Sequence, residues 1–162
     1  MATRLRCGHS AALAWIFGVF AIVLGVRSAL AQEPGYRSVD GLAVYLGVVP
    51  AEIVKGHPKA HPERTMHDET PRDEHAFHVV VAVFDGATGA RLEDLAVRAT
   101  LLPPARPPLT EPLERMTVAG AVTYGNFVRL AGYGTYRIRV AIERPGGEKP
   151  VVAEFAYEHR LR

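Results

Sequence analysis

The sequence predicts an all-β chain folded as one antiparallel β-sandwich of about seven strands. Runs rich in Val, Ile, Tyr and Phe recur at 41–49, 76–84, 95–102, 127–131, 135–143 and 151–158, each of a length that suits a strand. The stretches DGATG, PPARPP, AGYG and RPGGEKP end them, since Gly and Pro break a ladder or supply the backbone angles that a turn needs. No convincing amphipathic helix lies between the runs.

The chain opens with two arginines, an apolar run from Ala11 to Val26 and the small-residue exit Ala29-Leu30-Ala31. That order of charge, core and cleavage site is a secretory signal peptide over 1–31, and the run is short for a membrane span. The alternative is an uncleaved anchor, because Arg27 interrupts the end of the run. The expected product begins near Gln32 and is periplasmic or secreted. Cys7, the only cysteine, leaves with the leader. A disulfide scaffold, a thiolate metal site and cysteine catalysis are thereby excluded. Arg4, Arg6 and Arg27 leave too, so 16 basic residues face 17 acidic ones, a balance of −1. Nucleic acid therefore has no electrostatic case as a partner.

Residues 32–40 read as a flexible start, 41–158 as the sandwich domain and 159–162 as a C-terminal tail. The clearest strand runs from Tyr136 to Ile142: Tyr136, Ile138, Val140 and Ile142 point one way, Arg137 and Arg139 the other, so one face meets a core and one meets water. DGATG at 85–89 reads as a turn after the 76–84 strand. The proline-rich LLPPARPPLTEPLE, 101–114, reads as an extended loop between sheets, because Pro cannot donate to a ladder.

Catalytic chemistry finds little to work with. Ser38 is the only serine after the leader, and no nucleophile elbow, phosphate-cradling loop or dinucleotide fingerprint occurs. The expectation is no enzyme, no haem and no nucleotide. Metal binding has more support. GHPKAHPERTMHDETPRDEHAFH, 56–78, carries five of the seven histidines and one of the three methionines. His57 and His61 each precede a proline, so helical pairing of their imidazoles is unavailable. Met66, His67 and Glu69 offer thioether, imidazole and carboxylate within four residues. Thioether with imidazole suits copper, Cu(I) especially, and imidazole with carboxylate suits Fe(II), Zn or Cu(II). His75 and His78 fall on opposite faces of a regular strand, with His78 on the face of Val80, Ala82 and Phe84. Imidazole ligands must be neutral, so metal affinity should fall below about pH 6.

One segment resembles a known family. MTVAGAVTYGNFVRLAGYGTYRIRVAIERP, 116–145, is similar to the periplasmic ferrous-iron-transport proteins and their treponemal lipoprotein relatives, in which a Met precedes an HYG-N turn and a G-x-G-x-Y stretch. Met116, Tyr124, Gly125, Asn126, Gly132, Gly134 and Tyr136 follow that order. DGLAVYLGVVP, 40–50, resembles the family's opening strand, and HAFHVVVAVFDGATG the strand before its next turn. The resemblance implies a cupredoxin-like or immunoglobulin-like sandwich that binds copper or iron, with Met116 matching the family's Met and His67-Asp68-Glu69 its His-x-Glu pair. Thr123 stands where the histidine of the turn belongs, and a hydroxyl is a poor ligand for a soft ion. The expected metal set has Met116 and His67 as core ligands, with Glu69, Met66, His75 or His78 making up for the missing turn histidine; the expected partners are a metal ion, an inner-membrane metal transporter and a second copy of the chain as a homodimer. The 79–101 stretch also looks like the small immunoglobulin-like periplasmic domains of the YtkA and FixH kind. A second function therefore stays open, an envelope interaction module with no specific metal site.

Overall fold

The computed structural model describes residues 33–55, 73–147 and 149–160. Eight strands appear there, all antiparallel: β1 (Tyr36–Val39), β2 (Leu42–Pro50), β3 (Ala76–Asp85), β4 (Ala96–Leu102), β5 (Leu109–Val118), β6 (Ala121–Arg129), β7 (Gly134–Glu143) and β8 (Val151–His159), with one short helix, α1 (Ala51–Lys55). Their order is β1-β2-β3-β6-β5-β4-β7-β8.

The count is eight where about seven was expected, and the two strands that the sequence hid have physical explanations. β1 is only four residues long, too short to show a period, yet it pairs with β2 through a two-residue turn. Asp40 and Gly41 both have positive φ there, the backbone hand that a tight hairpin needs. β5 lies in the proline-rich stretch expected to be a loop. Its first half pairs with β4 and its second half with β6, so it passes from one sheet to the other. Pro112 sits just before that changeover, and its carbonyl accepts a hydrogen bond from Asn126 Nδ2 at 2.8 Å. β6 begins at Ala121, well before the 127–131 run that signalled it.

The core fills the space between the sheets. β3 contributes Phe77, Val79, Val81 and Val83, and β7 contributes Tyr136, Ile138, Val140 and Ile142, each at most 5% exposed. Period-two alternation drives this, since every second side chain reaches the apolar interior. β1 and β8 close the remaining side. Arg37 Nε donates to the Glu154 carbonyl oxygen at 2.7 Å, and its guanidinium lies over the Phe155 ring at 5.1 Å.

Tyr124 pins the β3–β4 connection, its hydroxyl accepting from Leu95 N at 3.1 Å and donating to Leu92 O at 3.3 Å. Burial pushes this phenol, and that of Tyr136, above the usual tyrosine value, so both remain donors.

The two outer faces differ in chemistry. On β4, β7 and β8 the outer face is charged, with Arg139 Nε 2.6 Å from Glu154 Oε1 and Arg98 3.4 Å from Glu143. On β1, β2 and β3 it is aromatic: Tyr36 meets Tyr45 at 5.0 Å between ring centroids, and Tyr45 meets Phe84 at 5.5 Å.

Candidate metal centre

The outer face of β3, β6 and β5 carries a buried cluster. In the register, His78 opposes Phe127 and Val80 opposes Gly125 across β3 and β6, while Met116 opposes Thr123 across β5 and β6. His78 is 1% exposed and Met116 7%, although neither belongs to the core between the sheets. The His78 ring leans on Phe127 at 4.8 Å between centroids.

Gly125 is the hub. The point where a Cβ would stand on it lies 2.8 Å from His78 Nε2, 3.0 Å from Met116 Sδ and 3.1 Å from the Val79 carbonyl oxygen. Imidazole nitrogen and thioether sulfur thus lie side by side over the Gly125 backbone, so closely that any side chain there would collide with both. Beside it, Thr123 Oγ1 is buried and has no hydrogen-bond partner among the described residues. The donor chemistry fits a soft or borderline ion, since thioether selects Cu(I) and imidazole suits copper, iron and zinc.

Of the six expected site residues, the structure brings His78 and Met116 together. His75 lies in the turn before β3 and lines a different cavity, beside Phe77 and His159, with its Nε2 3.6 Å from Glu74 Oε1. The odd offset from His78 separates the two, as the pleat requires. Met66, His67 and Glu69 lie outside the described residues, as do His57 and His61. No group of three His, Cys, Asp or Glu side chains at metal spacing occurs among the described residues.

Two residues were missed. Gly125 appeared only as part of a motif, and its role as a cradle depends on register across β3, β6 and β5. His159 was assigned to a tail, but β8 runs through it and it is 6% exposed. The signal was present: Ala153, Phe155, Tyr157 and His159 continue one alternation.

No protein-family model matches the chain, and no curated protein matches it in sequence. Solved structures do match its fold. A copper-bound variant of FetP from uropathogenic Escherichia coli strain F11 superposes with a TM-score of 0.58 at 12% identity, over 78% of this chain and 94% of that one. A copper-bound variant of Campylobacter jejuni P19 gives 0.58 at 11%, again over 78% and 94%. A DUF4426 family protein from Pseudomonas aeruginosa gives 0.56 at 17%, over 76% and 91%. The fold is the one that the resemblance implied. At such identities the likeness is one of architecture.

Proposed function

We propose that this chain is a periplasmic metal-binding protein that handles copper or ferrous iron in transport or homeostasis, acting by binding and not by catalysis. The observation that carries this reading is the point beside Gly125, within 3.0 Å of both the His78 imidazole nitrogen and the Met116 sulfur. A glycine at this position lets two soft or borderline donors approach the same stretch of backbone side by side, an arrangement that suits an ion. The thioether favours copper, as Cu(I), over iron. Met66, His67 and Glu69 are proposed as further ligands, because the sequence resemblance implies a His-x-Glu pair. Copper in the FetP and P19 structures supports the same reading. The leader over 1–31 supports the compartment, and an inner-membrane metal transporter is the proposed partner, with a homodimer as the assembly.

The test is a competition titration of residues 32–162, without a tag, with Cu(I), Cu(II), Fe(II) and Zn(II), alongside Met116→Leu and His67→Ala. Met116→Leu keeps the volume and removes the sulfur. Stoichiometric Cu(I) binding, weakened at least about tenfold in Met116→Leu, is the expected result. Weak binding indifferent to Met116 would leave the envelope interaction module as the better account, with Thr123 marking a site that lost its imidazole.

A further inference from the structure

The other buried histidine has a different setting. His159 ends β8, and its ring packs against Phe77 at 4.9 Å and Tyr133 at 5.1 Å between centroids. Its Nδ1 lies 2.8 Å from the Gly132 carbonyl oxygen. A carbonyl only accepts, so Nδ1 carries the hydrogen and, in the neutral ring, Nε2 presents a lone pair. No described residue meets Nε2. The ring lines a cavity of about 460 Å³ between the end of β2, the head of β3 and the end of β8.

The walls of that cavity combine aromatic rings with negative charge. Phe77, Tyr133 and Tyr157 line it, together with Glu52, Glu74, Glu158, His75 and Arg160. Arg160 is engaged with Glu158 at 2.6 Å, and Glu74, 3.6 Å from His75 Nε2, places a further carboxylate at the rim. We propose that this cavity binds an organic ammonium group, which donates an N–H to His159 Nε2, lies against the aromatic wall and is attracted by the carboxylates. Ring faces attract cations, and an acceptor fixed by a hydrogen bond on its other side loses little freedom on binding. A bare metal ion fits worse: the space is many times larger than an ion, and the described side chains offer no metal-spaced trio. The cation is a free amine or the side chain of a lysine on a partner, and the chemistry is shared. This inference is independent of the His78–Met116 reading.

The experiment is a titration of the purified, 15N-labelled protein with n-butylammonium, tetramethylammonium, n-butanol and a capped Gly-Lys-Gly peptide, following the His159 Nε2 resonance. Saturable movement with n-butylammonium is expected, weaker with tetramethylammonium, which has no N–H to donate, and none with n-butanol. His159→Phe, which keeps the ring packing, and Glu74→Gln, at an exposed position, should each weaken n-butylammonium at least about fivefold. Tighter binding of the peptide than of n-butylammonium assigns the site to a partner's lysine, and the reverse order assigns it to a free amine. The proposal is overturned if n-butylammonium leaves the resonance unmoved, or if Zn(II) moves it saturably where the amines do not. Equal binding to the wild type and to Glu74→Gln overturns it as well, even where His159→Phe fails to fold.

Discussion

Two buried histidines sit at two ends of the same design problem. His78, 1% exposed, is held against a backbone glycine with a methionine sulfur at its side, so closely that a Cβ on the glycine would collide with both. His159, 6% exposed, is fixed through its other nitrogen to a carbonyl and opens on a cavity of about 460 Å³ walled by rings and carboxylates. The imidazole is the same in both. What differs is the hardness of the neighbouring donor and the size of the space, and these two quantities decide between a metal ion and an organic cation. A histidine's role is therefore read from the atoms around its ring and not from its burial.

The sharpest way to break the comparison is Gly125→Val. The new side chain would meet the Val79 carbonyl as well as His78 and Met116, and backbone cannot move aside as a side chain does. A loss of about 2 kcal/mol in a urea melt is expected from the overpacking, together with loss of Cu(I) binding. The His159 response to n-butylammonium should survive in the folded fraction. If copper binding persists unchanged, the point beside Gly125 is not the site. Next in size is Thr123→Val, which replaces a buried hydroxyl without a partner by an isosteric methyl. It should raise stability by about 1 kcal/mol in the metal-free protein, with Cu(I) affinity held within about threefold, since a hydroxyl contributes little to a soft ion. A large fall in affinity would make Thr123 a ligand.

How far these sites were legible follows from where their information is stored. The alternation in TYRIRVAIE and VVAEFAYE is local, and it located β7 and β8 because a half-buried strand imposes period two on its own residues. Met116 and His78 were legible as chemistry, by type and by motif. Their convergence was not, because it depends on Met116 facing Thr123 and Gly125 facing Val80, a register that joins the β5–β6 hairpin to β3, which lies far earlier in the sequence. β5 was hidden for a related reason. Proline argues against a strand from composition alone, whereas here Pro112 sits where the strand leaves β4 for β6. His159 was legible in phase and lost in position, because closeness to the end of a chain suggests a tail even where the alternation continues.

A smaller effect sharpens the His159 side alone. The Gly132 carbonyl accepts from the Tyr136 hydroxyl at 3.0 Å as well as from His159. Tyr136→Phe removes one of the two donors, which should cost about 0.5–1 kcal/mol. It should also loosen the His159 ring, weakening n-butylammonium about twofold to threefold while Cu(I) binding is unaffected. A variant that lowered both affinities would mean that the two regions share one structural support.

The smallest effect sets the zero for the comparison. Asp85 closes the turn after β3, far along that strand from His78, and its Oδ1 accepts from Thr88 N at 2.8 Å, Thr88 Oγ1 at 2.9 Å and Ala87 N at 3.1 Å. The Thr88 amide, then the Thr88 hydroxyl, hold this carboxyl below the usual value of 3.8. A carboxyl whose folded pKa is depressed contributes stability that is present above the unfolded value and is lost as pH falls through the folded one. The Tm gap between the wild type and Asp85→Asn should therefore be constant above about pH 5 and should close as the pH drops below about 4. Neither Cu(I) nor n-butylammonium should notice the change at neutral pH. A shift in either affinity would mean that the turn at the far end of β3 is coupled to the strand's working face, and that the two histidines are tuned by one element and not by their separate neighbours.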